Sequence, residues 1–269
     1  MKQSLGLFWA LFFFLFWNGQ FAAAQTVDTA AVSREVDSLI QVCRTLTGQG
    51  QFEDALQAIE TAKNKARGVF GVESARFASC VFYQGRVFHL WGKLDDAEPL
   101  YLEAKTIQEK TLGKEHSDFA TSLNNLGVLY VYMGNYEKAE PICVEAKAIR
   151  EKILGKKHRD YVGSIGLLAS LYEDMGNYEK AEPLYLEAKA IQEKTLGKEH
   201  PIYTPFLSEL ANFYLKLGNY EKAESNYLEV KSILEKVFGK ENSHYATCLN
   251  NLGILYQQID NLEKAGQLY

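Results

Sequence analysis

Apolar residues recur along most of this chain at three- and four-residue intervals, the spacing that gathers them on one face of a helix. Between Phe119 and Met133 the series is Phe119, Leu123, Leu126, Tyr130 and Met133, with the small Gly127 among them. Gly134-Asn135 interrupts it, glycine as a helix stop and asparagine as a cap for the next helix. A second apolar face then runs through Tyr136, Ala139, Ile142, Cys143, Ala146, Ile149 and Ile153. Gly155 ends it, and the basic turn Lys156-Lys157-His158 leads on. The spacing predicts a helix A of about 16 residues and a helix B of about 19. Pro99, Pro141 and Pro183 fall early in successive B helices, where few backbone bonds are lost and a slight kink is expected.

This two-helix pattern repeats. Gly50, Gly92, Gly134, Gly176 and Gly218 stand 42 residues apart, and Asp260 takes the sixth place. Ala55, Ala97, Ala139, Ala181, Ala223 and Ala265 keep the same step, as do Gly71, Gly113, Gly155, Gly197 and Gly239. A strict period predicts one continuous all-α array of antiparallel helix pairs, not separate domains. Its units are 34–75, 76–117, 118–159, 160–201, 202–243 and a partial 244–269, after a linker at 25–33. Gly127, Ala169, Ala211 and Gly253 keep one helix A position small, so a neighbouring helix can approach. Tyr130, Tyr172, Tyr214 and Tyr256, three residues on, are expected to fill the space between helices. One helix pair cannot bury both its faces, so each unit depends on its neighbours.

The start of the chain has a different pattern. Lys2 precedes Leu5–Trp17, an uncharged stretch of 13 residues, and Phe21-Ala22-Ala23-Ala24 comes after it. That order of basic start, apolar run and small residues is a secretory signal peptide over 1–24. A membrane anchor is the competing reading, but 13 residues span about 20 Å as a helix, short of the ~30 Å hydrocarbon core. No later stretch approaches membrane-spanning length, so an exported, periplasmic or secreted chain is expected. Lys and Arg number 29 against 34 Asp and Glu, a net charge of −5, which argues against nucleic acid as a partner.

The residues Leu126-Gly127-x-x-Tyr130, Gly134-x-Tyr136-x-x-Ala139 and Ala146 resemble the tetratricopeptide repeat. The longer unit, with the connector Glu193-Lys-x-Leu-Gly-Lys-x-His200, resembles the repeats of kinesin light chains and of exported bacterial proteins. The resemblance implies an α-solenoid, a right-handed superhelix whose concave groove, lined by helix A, takes an extended peptide or partner segment. It spans about Arg34 to Tyr269, nearly the whole chain after the signal peptide.

Helix B is copied between units while helix A varies. Gly134–His158 and Gly176–His200 agree at 19 of 25 positions; Ser117–Met133 and Arg159–Met175 agree at six of 17. Drift on a solvated face and a groove tuned to one partner both account for this. The family's groove positions fall on Arg86 and His89 in the second unit, and on Asn124, Val128, Val131 and Tyr132 in the third. They fall on Ser170, Glu173 and Asp174 in the fourth, on Asn212, Leu215 and Lys216 in the fifth, and on Asn250, Ile254 and Gln257 in the sixth. Asn124 and Asn250 match the asparagines with which such arrays hold a peptide backbone, since one amide both donates and accepts. Gly166 and Ser208 interrupt that ladder. The paired lysines and asparagine that clamp a C-terminal carboxylate in chaperone-binding members are missing, which disfavours that partner class.

Catalytic and metal constellations find little support. Cys43, Cys80, Cys143 and Cys248 form no C-x-x-C pair and read as buried free thiols. His116, His158 and His200 recur one unit apart, too far for shared metal bonds of ~2.0–2.1 Å, and read as helix-end residues. No cofactor or enzymatic activity is expected. Tyr269 stands halfway along the sixth helix B, where solenoids usually carry a polar cap. Such an end suggests a truncated gene product, a natural fragment or a docking end that could self-associate. The alternative to a stand-alone scaffold is the sensory arm of a longer enzyme whose protease-like or kinase module lies outside this chain.

Overall fold

The computed structural model describes residues 28–267. Among these it contains twelve α-helices and no strand. The odd-numbered helices are the A helices: α1 Thr29–Gly48, α3 Ala75–Leu90, α5 Ser117–Tyr132, α7 Arg159–Asp174, α9 Thr204–Lys216 and α11 Ser243–Gln258. The even-numbered are the B helices: α2 Phe52–Phe70, α4 Leu94–Leu112, α6 Tyr136–Leu154, α8 Tyr178–Leu196, α10 Tyr220–Phe238 and α12 Leu262–Gly266. The fold is the all-α solenoid of antiparallel helix pairs. The segment read as a signal peptide lies outside the described residues. Helix α1 begins at Thr29, so residues 29–33 of the expected linker are helical, with Asp28 capping through a bond from the Ala31 amide. In the fifth unit helix A is shorter, because Pro201–Tyr203 forms a 3-10 turn before α9.

Local chemistry explains the regular breaks. Gly134 adopts φ 69° and Gly155 φ 78°, a left-handed backbone that stops a helix at little steric cost in glycine. Asp260, at the sixth place of the first glycine series, takes φ 56°, a conformation open to short polar side chains. Asn135, Asn177, Asn219 and Asn261 each accept from the amide three residues on, at 3.3, 3.3, 3.2 and 3.2 Å, and so cap α6, α8, α10 and α12. The recurrent histidines are caps too: Nδ1 of His116, His158 and His200 accepts from the amide two residues on at 3.1, 3.1 and 3.2 Å.

Each A helix after the first is packed between its own B helix and the preceding one. Gly127 lets this happen in the third unit: a Cβ there would stand 2.5 Å from Cys143 Sγ. Across the unit boundaries runs a repeated three-residue contact. Tyr130, Tyr172, Tyr214 and Tyr256 donate to Glu98, Glu140, Glu182 and Glu224 of the preceding B helix at 2.7, 2.9, 2.9 and 2.6 Å. Lys138, Lys180, Lys222 and Lys264 reach the same carboxylates at 3.3, 3.3, 2.9 and 3.5 Å, each ammonium lying over the tyrosine ring. Successive A helices of the first four units approach with Cα atoms within 8 Å of one another, whereas successive B helices show no comparable approach. The array therefore closes in on its A side, and the A helices line the inner face.

Candidate binding groove

The expected groove residues lie on the exposed side of the A helices, but not all are available to a ligand. Arg86, Tyr132, Asp174, Asn212, Lys216, Asn250, Ile254 and Gln257 are exposed or partly so, Tyr132 to 72%. His89, Asn124, Val128, Val131, Ser170, Glu173 and Leu215 are half-buried. Asn124 is held from within: its Oδ1 accepts from Arg150 Nη1 at 2.8 Å and from Ser164 Oγ at 3.0 Å. Arg150 is 7% exposed and also bonds Ser164 Oγ and the Asp160 carbonyl, so Asn124 serves a buried cation rather than a free ladder.

Tyrosines on the B helices fix the groove side chains from behind, a role that the repeat pattern alone does not disclose. Tyr185 Oη donates to Glu173 Oε2 at 2.9 Å, Tyr227 Oη donates to Asn212 Oδ1, and Tyr101 Oη stands 3.3 Å from His89 Nδ1. In the third unit Cys143 occupies the tyrosine position and lies against Gly127. In the fifth, where Leu215 takes the place of Glu173, the Tyr227 hydroxyl turns to Asn212 instead. His89 also meets the exposed Tyr132 edge-on, ring centres 5.6 Å apart. Burial, and then the nearby Arg86 charge, push the His89 pKa down, so the ring is neutral.

Two cavities open on the inner face. One, of about 320 Å³, is lined by Gln41 and Arg44 of α1, Ser79 and Tyr83 of α3, Gln108 of α4 and Thr121 of α5. Gln108 is 2% exposed and its Oε1 has no hydrogen-bond partner. The other, of about 620 Å³, lies between α9, α10 and α11, with Ser208, Asn212 and Asn251 on its polar side and Leu234 and Phe238 on its apolar side. Arg44, Tyr83 and Asn251 are not among the expected groove residues, although Arg44 stands one period before Arg86.

Charge is unevenly placed. Lys216 Nζ lies 3.3 Å from Glu173 Oε1 and also draws on Asp174, one cation beside the three groove-side acids Glu173, Asp174 and Glu209. Burial raises the pKa of Asp174 and Glu209, and repulsion from Glu173 adds to it. Glu209 is reached by water yet walled by the inner face of the array.

Among the described residues no group of three His, Cys, Asp or Glu side chains is placed to hold a metal. All four cysteines are buried and free. Burial pushes the Cys80 and Cys143 thiols up to about 12 and Cys248 to about 11, which keeps them protonated and poor nucleophiles. No described helix is long and apolar enough to cross a membrane.

The tetratricopeptide repeat profile matches residues 118–194 and 205–269, and a second profile of the same description matches 92–118. No curated protein matches in sequence. A solved candidate kinesin light chain from Podosopora anserina, with nearly identical TPR-like repeats, is 26% identical with a TM-score of 0.66. The match covers 77% of this chain and 98% of that one. BtubC (BKLC) from P. vanneervenii is 16% identical with a TM-score of 0.63, covering 88% of each chain. NprR in complex with its cognate peptide NprX is 16% identical with a TM-score of 0.59, covering 99% of this chain and 72% of that one. The likeness to the last two is one of fold.

Proposed function

From the premise that the chain belongs to the tetratricopeptide repeat family, we propose a protein-interaction scaffold that holds an extended peptide or partner segment along its A helices. The observation that carries this is the pairing of variable groove residues with fixed supports. His89 and Glu173 share one variable repeat position and Asn212 stands at another, and each is oriented by a tyrosine hydroxyl from the B helix behind it. Pre-oriented side chains lower the ordering cost of binding. A receptor of this fold solved with its cognate peptide lends the reading general support.

We read the scaffold as non-catalytic, because its thiols are buried and held protonated. We also propose that it acts after export, directed by residues 1–24. A fusion to a reporter enzyme active only outside the cytoplasm tests this; an expressed but inactive reporter sinks it. The groove itself is tested with peptides selected from a random library on the chain from Gln25 onward. Tyr132→Ala with Asn250→Ala should weaken a selected peptide at least about tenfold while circular dichroism is unchanged, the loss expected for about 1.4 kcal/mol of contact energy. Undiminished capture would show that binding lies elsewhere.

A further inference from the structure

The inner face is charged at two places and uncharged between them. At the first, Arg44 and Arg86 both stand exposed on α1 and α3. The arginines that do pair with a carboxylate are others, Arg76 with Asp37 and Arg159 with Asp160. Arg44 contributes to the 320 Å³ cavity and rests 5.8 Å from the Tyr83 ring centre. Of the two aspartates lining that cavity, Asp37 is paired with Arg76, and Asp118 sits in the first turn of α5, where the positive helix end offsets its charge. At the second place, Glu173, Asp174 and Glu209 on α7 and α9 stand against the single cation Lys216, so acid predominates there. Between them the third unit presents Val128, Val131 and Tyr132.

We propose that the groove is bipolar, and that its occupant is an extended segment carrying acidic residues at one end and basic residues at the other. The acidic end lies against Arg44 and Arg86, the basic end against Asp174 and Glu209, and an uncharged, partly apolar middle crosses Val131 and Tyr132. This deepens the peptide-groove reading and rests on it. Length follows from geometry. The two charged places are three units apart; packed helices lie about 8–10 Å apart, so the span is on the order of 25–30 Å. At about 3.3 Å per residue, about eight or nine residues cover it. A second observation points to a ligand at the cationic end: Gln108 Oε1, buried on the cavity wall, is an acceptor without a donor. An extended backbone brings N–H groups that such an acceptor lacks. Opposed charges also exclude wrong partners, since an all-acidic or all-basic segment meets repulsion at one end.

The test uses labelled synthetic peptides of one length and spacer: Glu-Glu, eight residues of Ser, Ala and Val, then Arg-Arg, with all-Glu, all-Arg and all-Gln versions of the ends. Fluorescence anisotropy at low salt should show the bipolar peptide binding at least about tenfold tighter than the other three. The margin should shrink in about 0.5 M salt and vanish when the spacer is cut to about three residues. Arg44→Glu with Arg86→Glu, and separately Asp174→Lys with Glu209→Lys, should each remove the margin, with folding checked by circular dichroism. A photo-cross-linker on the acidic end should label α1 or α3, and on the basic end α7 or α9. If the bipolar and all-Gln peptides bind equally, and Tyr132→Ala weakens both, the groove stands and its bipolarity is overturned. Bipolarity is overturned as well if neither charge-reversal pair changes the margin. If no peptide of the set binds, the bipolar assignment fails.

Discussion

Glu140 takes a hydrogen bond from Tyr172 and contact from Lys180, and Glu98 and Glu182 are held the same way at the adjoining boundaries. These donors hold the three carboxyl groups below the ordinary glutamate value of 4.5. A depressed folded-state pKa stabilises the fold above the unfolded value and loses that contribution as the pH falls through the folded one. Urea unfolding followed by circular dichroism should therefore give a flat midpoint from about pH 6 to 8 and a falling one below about pH 4.5. Replacing all three glutamates with glutamine should flatten the acid limb. An unchanged limb would place the acid sensitivity elsewhere. Gly127 makes a second prediction at this scale. Its alanine variant drives a Cβ onto the Cys143 sulfur and should destabilise by about 1–3 kcal/mol. Adding Cys143→Ala should recover most of that, a coupling that a double-mutant cycle reads directly. Asn124→Ala removes an acceptor from buried Arg150 and should cost about 1–3 kcal/mol. Asn250→Ala makes no such bond and should leave stability alone. The two asparagines look alike in the sequence because both occupy one repeat position. What separates them is Arg150, one period after Gln108 and before Gln192, whose burial only packing reveals.

The helices themselves were legible, for reasons that stay local. Apolar spacing, the Gly-Asn stops and the histidine caps act within a few residues, so the 42-residue step places every helix pair. Two departures are local as well. Helix α1 starts at Thr29 because Asp28 supplies a cap ahead of the periodic region. Helix α9 is delayed because Pro205 has no amide hydrogen for the Pro201 carbonyl, which accepts from the Thr204 amide in a 3-10 turn instead. The groove was legible only in outline: its positions follow from the repeat, but Tyr101, Tyr185 and Tyr227 act across two helices, a link no helical period encodes. The caps allow a test at this scale. Asn177→Ala removes the acceptor for the Lys180 amide at the start of α8 and should lower stability by about 1 kcal/mol. Asn177→Asp should retain it. Hydrogen exchange should report faster opening in the first turn of α8 and little change in α5.

Whole arrays of this kind are stabilised mainly between neighbours, so a unit should be removable if the new boundary fits. Deleting residues 160–201 is the sharpest case. Backbone register survives: His158 would cap the next A helix as His200 does, and Glu140 would receive Tyr214 and Lys222 as Glu182 does. Three side chains do not fit. Gly166 lies against Phe206, where a Cβ would approach to 2.9 Å, and Asn124 would take its place. Tyr185 packs edge-on to Phe206 and against Phe213, ring centres 5.9 and 5.2 Å away, and Cys143 would leave that space empty. Arg150 would keep a backbone carbonyl, that of Ile202 in place of Asp160, but lose the Ser164 hydroxyl to Phe206, leaving a buried cation short of an acceptor. The plain deletion should therefore unfold well below the parent or fail to fold cooperatively. Carrying Asn124→Gly, Cys143→Tyr, Arg150→Gln and Val131→Glu, it restores the contacts of Phe206, Tyr185 and Lys216 at the native boundary between the fourth and fifth units. It should then recover the parent's helicity per residue and a single cooperative melt. If the plain deletion melts as high as the repaired one, stability resides within the units. The side chains at the boundaries would then be interchangeable between units, contrary to the packing of Phe206 against Gly166 and Tyr185.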